Sequence, residues 1–287
     1  MKSSSYITPR QLEATFASCQ SIGPSSRLLR LGFIGFGSIG STAASVLKKE
    51  APGVKVVGVL VQHIRPTIDK IPFVLNIQSL LNQRPDLVVE CAGHEALAQH
   101  GEAVLSAGID LMVVSAGALA DPELYAKLLN AARNSGARLH VPAGAIGGLD
   151  WLSAATLAGL ENVIYRSRKP PCAWVGSPGH DATLPPPTHA KVFFQATVRE
   201  AALRYPKNVN VAAALALATI GFDRTKVELM VDPDINENIH EIEAIGRAGS
   251  FTLRLCNTSD PANPRTSMIT GYSVANSLLQ RSSIVLI

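Results

Sequence analysis

Two stretches of this chain carry residue types and spacings suited to chemistry. The first is Asn-Glu-Asn-Ile-His-Glu-Ile-Glu-Ala-Ile-Gly, residues 236–246. In an extended strand alternate side chains share a face, so His240, Ile242 and Ala244 fall on one side and Glu241 and Glu243 on the other. The glutamates take the solvent side, which places His240 at the mouth of an apolar face. An imidazole there is either a buried group satisfied by a neighbour or a centre of proton transfer, because its ordinary pKa lies near neutrality. The second stretch is Gly35-Phe36-Gly37-Ser38-Ile39-Gly40, a G-x-G-x-x-G cluster. It follows an apolar run and opens an alanine-rich helical segment. In that context Gly35 permits a tight turn, Gly37 lets the backbone approach a pyrophosphate, and Gly40 allows close helix–strand packing. The helix start then offers its unpaired N–H groups to phosphates. A dinucleotide is the expected ligand, with Ser38 and Ile39 beside it.

An NAD-selective site usually has Asp or Glu about 20 residues further on, at the end of the second strand. Here the sequence is Val61-Gln62-His63-Ile64-Arg65, without a carboxylate. Gln62 can bond a ribose hydroxyl, and His63 and Arg65 can hold a 2′-phosphate, or Arg65 is a solvated loop residue. NAD and NADP both remain open. Ligands in open α/β sheets sit beyond the carboxyl ends of the strands. This makes Cys91, Ala92, Gly93, Ser115, Ala116 and Gly117 candidate walls for ribose and nicotinamide. His94 reads as a first-turn helix residue facing solvent. Asp150 reads as a helix cap.

These residues need elements to position them. Apolar runs at about 54–61, 86–93, 109–117 and 137–144 follow the first one, with helical segments between the later ones. Short apolar strands alternating with helices imply a parallel sheet covered on both faces. After residue 147 the pattern changes. A helix leads into a strand at 162–171, a proline-rich flap, a strand running into a helix, a buried helix closed by Gly221, and three further strands. The fold class expected is α/β, with an N-terminal Rossmann-type parallel sheet and a second α+β domain with a mainly antiparallel sheet. The boundaries read as an N-terminal extension at 1–26, a dinucleotide-binding domain at 27–146, and a substrate domain at 147–262. The tail at 263–287 reads as a proline-capped amphipathic helix packing back on the first domain.

The formal charge of +4 comes without a Lys/Arg block, so nucleic acid is not the expected partner. Nor is a membrane, since no apolar run reaches spanning length. The four cysteines, Cys19, Cys91, Cys172 and Cys256, are scattered without a C-x-x-C pair, which argues against a zinc site or a disulfide framework. Together with the lack of a signal-peptide pattern, this gives a cytoplasmic expectation. His140, His180 and His189 share no metal-ligand spacing, and no metal is expected.

A set of longer motifs is more specific than the glycine cluster. GFIGFGSIG, VVECAG, VVSAGALAD, VPAGAIGGLDWLSAA, PKNVNVA, NIHEIEAIG and NPRTS, in this order over about residues 28–280, resemble the L-aspartate dehydrogenase family. The resemblance implies oxidation of L-aspartate by NAD or NADP to iminoaspartate. This hydrolyses to oxaloacetate and ammonia or feeds NAD biosynthesis. It implies that His240 is catalytic and that Ala143, Gly144, Ala145, Asn208 and Asn210 contact the cofactor. Arg168, Lys169, Lys207, Asn208, Thr266 and Ser267 are the candidates for substrate binding, with Arg168 favoured by its bidentate fit to a carboxylate. A homodimer is the expected assembly. Two other readings stay open: a dehydrogenase of another amino acid or a semialdehyde, and a cofactor-binding regulatory protein without turnover. The chain departs from the family at Phe194-Gln195-Ala196-Thr197 and in a long flap at 176–188, both in the substrate half.

Overall fold

The computed structural model describes residues 28–64, 71–181, 183, 185, 187–261, 263–281 and 283. The expected N-terminal extension, Cys19 and Arg65 lie outside the described residues. The first half alternates strand and helix: β1 (Leu29–Ile34), α1 (Ser38–Glu50), β2 (Val54–Leu60), β3 (Phe73–Val74), α2 (Ile77–Leu81), β4 (Leu87–Glu90), α3 (His94–Ser106), β5 (Asp110–Val113), α4 (Pro122–Ser135) and β6 (Leu139–His140). The six strands form one sheet in the order β3-β2-β1-β4-β5-β6, all parallel. The chain leaves the middle of the sheet in opposite directions from β1, creating the crevice where nucleotides bind in such folds. The centre of the sheet is dry on both faces, and β4 and β5 are buried along their whole length. Gly32 and Gly58 face each other across β1 and β2. They leave room for Leu80 of α2, since a Cβ on either would come within 3.1 Å or 2.9 Å of Leu80 Cδ1. The strand β3 carries no periodic signal of its own and was not expected.

The second half runs through α5 (Leu149–Ala158), β7 (Leu160–Lys169), a 3-10 turn at Pro171–Trp174, α6 (Pro178–Asp181), β8 (Lys191–Thr197), α7 (Val198–Arg204), α8 (Asn210–Ala218), β9 (Lys226–Val231), β10 (Asn238–Gly246) and β11 (Gly249–Asn257). Its five-stranded sheet has the order β11-β10-β7-β9-β8. All pairs are antiparallel except β7 with β9. One face packs on α5 and α7, and the other is a charged surface. There Glu228, Arg166, Glu241 and Arg254 sit directly opposite one another across four strands, with ion pairs joining each neighbour to the next. Alternation along β7 therefore sends Arg166 and Arg168 outward and Tyr165, Ser167 and Lys169 inward.

The tail departs from the expected continuous helix. Residues Asn263–Ser267 form β13, which pairs with β12 (Ser259–Asp260) as a small hairpin. Only then does α9 (Ile269–Gln280) begin, without a side-chain cap. The helix α9 lies on α1, where Val274, Ala275 and Leu278 join Ala43 and Leu47 in one apolar cluster. Gly271 makes the approach possible, because a Cβ there would meet Thr42 at 2.7 Å. Asp150 does not cap α5. Gly148 takes the cap position in a left-handed conformation, and Asp150 sits in the first turn, where its charge suits the helix dipole.

Candidate active site

The site begins with the strand pair β7–β10. His240 lies opposite Ser167 in the antiparallel register, so Tyr165 and Lys169 are its diagonal neighbours on the same face. His240 is 3% exposed and its Nδ1 is 2.6 Å from the Tyr165 phenol, with the rings nearly parallel. Its Nε2 faces Ser267 Oγ at 3.4 Å. Burial and the nearby Lys169 ammonium press the His240 pKa down to about 3. The lowered pKa favours the neutral imidazole toward neutral pH. Lys169 is itself buried, and its Nζ donates to the Arg265 carbonyl at 3.1 Å beside the Trp174 ring. Desolvation, helped by the Arg265 charge, lowers its pKa to about 8.

This face opens into a cleft of about 640 Å³, measured out to solvent, at the seam between the two halves. From the first half come Ile39, Val114, Ala116 and the Pro142–Ala145 turn. From the second come Lys169, Lys207, Asn208, Asn210, His240, Arg265, Thr266, Ser267 and Thr270. The hairpin β12–β13 brings Thr266 and Ser267 here, and with them Arg265, which sequence reasoning missed by drawing this stretch as helix. Among the described residues the lining holds three cations, Lys169, Lys207 and Arg265, and no carboxylate.

The predicted substrate residues divide. Lys169, Lys207, Asn208, Thr266 and Ser267 reach the cleft. Arg168 does not. Strand alternation puts it on the opposite face, where it pairs with the fully buried carboxylate of Asp232. Tyr165 was also missed, although its spacing of two and four from Ser167 and Lys169 was a readable signal.

The predicted cofactor residues divide as well. Gly35 turns with φ +83°, and a Cβ there would come within 2.7 Å of Ala92. Gly40 lies over Cys91, whose Sγ would meet a Cβ at 3.0 Å. At Gly37 a Cβ would meet nothing within 4 Å, so the backbone there faces open space. The helix α1 starts at that point with no side-chain cap and no acidic residue in its first turn. The Ser38 hydroxyl donates to Asp260 of the hairpin. Ile39, Ala116, Ala143, Gly144, Ala145, Asn208 and Asn210 line the cleft. Cys91 and Ser115 are not part of that lining. Ser115 is tied to Glu90, a buried carboxylate that also accepts from the Ala92 and Gly93 amides at 2.8 Å and so links the ends of β4 and β5. Gly117 donates its amide to Asn210 Oδ1, which His94 also meets, so His94 bridges to the second half instead of facing solvent. Gly93 faces open space with φ +128°. Gln62 and His63 are exposed just past β2, away from the cleft lining.

The residues fit a nicotinamide dinucleotide. Gly37 and the uncapped start of α1 offer a phosphate cradle. Further along, Asn208 is buried with neither side-chain amide atom hydrogen-bonded, so the cleft presents a donor and an acceptor in need of a partner. No cluster of metal-ligating residues occurs among the described residues, and no described helix is long and apolar enough to cross a membrane.

A dinucleotide-binding parallel sheet joined to a mixed-sheet domain, with a buried histidine and lysine at the seam, defines a two-domain NAD(P)-dependent oxidoreductase. Known proteins narrow the class. The family description "Aspartate dehydrogenase, C-terminal" matches residues 150–281, and "Homoserine dehydrogenase, NAD binding domain" matches residues 35–142. The L-aspartate dehydrogenase of Pseudomonas aeruginosa is 44% identical over 88% of this chain and 97% of its own. That of Cupriavidus necator is 42% identical over 90% of this chain and 99% of its own. The crystal structure of aspartate dehydrogenase from Thermotoga maritima superposes with a TM-score of 0.73 at 26% identity, over 90% of this chain and 99% of that one. The chain belongs to the L-aspartate dehydrogenase family.

Proposed function

We propose that this protein catalyses the NAD(P)-dependent oxidative deamination of L-aspartate. The observation that carries the reading is the cleft lining, in which Lys169, Lys207 and Arg265 join His240 with no carboxylate among the described residues. The two carboxylates of a small substrate match Lys207 and Arg265, and charge-assisted hydrogen bonds hold them. When bound, the nicotinamide supplies the hydride acceptor for the substrate Cα. Gly37 and the start of α1 hold its pyrophosphate, and Ala116, Asn208 and the Pro142–Ala145 turn shape the space for the ring. The substrate ammonium must lose a proton before the C–N double bond forms. Lys169 takes it, because a buried amine with a pKa of about 8 is often neutral at mildly alkaline pH. His240 faces the bound substrate through Nε2, and Thr266 and Ser267 complete the wall. The product iminoaspartate hydrolyses to oxaloacetate and ammonia, or passes on toward NAD biosynthesis. The free thiols of Cys91, Cys172 and Cys256 suit a reducing cytoplasm.

The test is reduction of NAD⁺ and of NADP⁺ by the purified protein with L-aspartate, beside the His240→Ala variant. Turnover with aspartate that collapses in the variant is the expected result. Tight dinucleotide binding without reduction by any amino acid would replace the reading with a non-catalytic one. Full turnover in His240→Ala would remove the histidine from the reaction. For cofactor choice, Arg65→Ala is expected to weaken NADP relative to NAD in binding measurements. An unchanged ratio would discard a role for Arg65 at a 2′-phosphate.

A further inference from the structure

The mechanism above uses His240 but leaves Tyr165 unassigned. Tyr165 is fully buried, and its phenol oxygen sits 2.6 Å from His240 Nδ1. A buried phenol must place its proton on an acceptor. The Ser167 hydroxyl also lies near the phenol but makes no hydrogen bond of ordinary geometry. At 2.6 Å the Nδ1 lone pair is the better-placed acceptor. A neutral imidazole carries a single ring proton, so an Nδ1 that accepts leaves that proton on Nε2. This is the nitrogen facing Ser267 and the cleft. The near-parallel stacking of the two rings, 19° between planes, fixes the imidazole orientation as well as its protonation.

We propose that Tyr165 is a positioning residue that locks His240 in the Nε2–H form, so that the histidine meets the substrate as a hydrogen-bond donor and not as a base. The donor suits a carboxylate or another oxygen of the bound substrate. The proposal fits the surroundings of His240. The Lys169 ammonium on the neighbouring diagonal opposes a second ring proton, and Arg265 and Lys207 add to the positive lining. What the donor touches rests on the aspartate reading, whereas the tautomer is a property of the protein without ligands.

The experiment is long-range ¹H–¹⁵N NMR of histidine-labelled full-length protein at neutral pH, with His240 assigned by loss of its signals in His240→Asn. The expected spectrum has Nε2 protonated and Nδ1 as an unprotonated, hydrogen-bonded nitrogen. Tyr165→Phe keeps the ring packing and removes only the hydroxyl. It is expected to mix the two tautomers and to lower kcat by about tenfold, the worth of one hydrogen bond, with KM for L-aspartate and Tm near the wild-type values. An Nδ1–H signal in the wild-type protein overturns the proposal, even if the variant fails to fold. So does an unaltered tautomer in folded Tyr165→Phe. An Nε2–H histidine in a protein that does not oxidise aspartate would sustain the proposal and defeat the functional reading.

Discussion

At the residue scale, His240 and Lys169 are two cationic groups by nature that the fold keeps from charging together. Both are desolvated, and each lies within reach of another cation. The signs lead to two predictions. His240 has a folded-state pKa of about 3 against an ordinary value of 6.5. Between those values the unfolded chain binds the proton and the folded one does not, so stability falls as pH drops through that window, by about 1.4 kcal/mol per pH unit. His240→Asn should flatten that part of the Tm-against-pH curve relative to wild type, and parallel curves would refute the assignment. Lys169 must be neutral to accept a proton. The catalytic rate should therefore rise with pH through about 8, and Lys169→Met should abolish turnover while dinucleotide binding, measured by fluorescence titration, survives. An alkaline limb that persists in a residually active Lys169→Met would assign the titration elsewhere.

At the scale of elements, the glycine-rich turn separates folding from binding. Gly35 needs its positive φ and has no room for a Cβ, whereas Gly37 has an extended conformation and open space. Gly37→Val should leave the apo Tm unchanged while weakening NAD(P) binding by at least about tenfold, because it fills the phosphate cradle. Gly35→Val should lower Tm. A Gly37→Val protein that binds dinucleotide normally would locate the phosphates elsewhere. Strand alternation gives a matching pair on β7. Arg168→Met should cost about 3 kcal/mol of stability, because it strands the buried Asp232 carboxylate. It should leave KM for aspartate unaltered, and a raised KM in a protein of normal Tm would return Arg168 to the cleft.

At the scale of the molecule, one apolar cluster runs from the parallel sheet through α5 and α8 into the second sheet. A second cluster holds α9 on α1. The chain thus crosses from the first half to the second and returns, and the cleft lies at the seam. Ligands that bridge the seam should stabilise the whole protein. At a hundredfold excess over Kd, the dinucleotide should add about 2.7 kcal/mol, seen as a rise in Tm of a single calorimetric transition. Two transitions, with only the first shifted, would show that the halves melt independently.

Much of this was written locally. The apolar strands of the first half, the G-x-G-x-x-G turn and the parity of His240 against Glu241 and Glu243 follow from backbone periodicity and from what glycine alone permits. The resemblance carried by PKNVNVA and NIHEIEAIG identified the catalytic candidate. Local pattern did not reach the partners. Arg168 had the right chemistry for a carboxylate, and only its register against β9 and β10 turned it toward Asp232. Thr266, Ser267 and Arg265 entered the cleft because a hairpin, not a helix, precedes α9. The sequence determined which elements form and which residue types are available to them. The tertiary structure decided which of those residues face one another, and through burial and the neighbouring cation it lowered the histidine's pKa, because desolvation and charge depend on surroundings that no local stretch of chain contains.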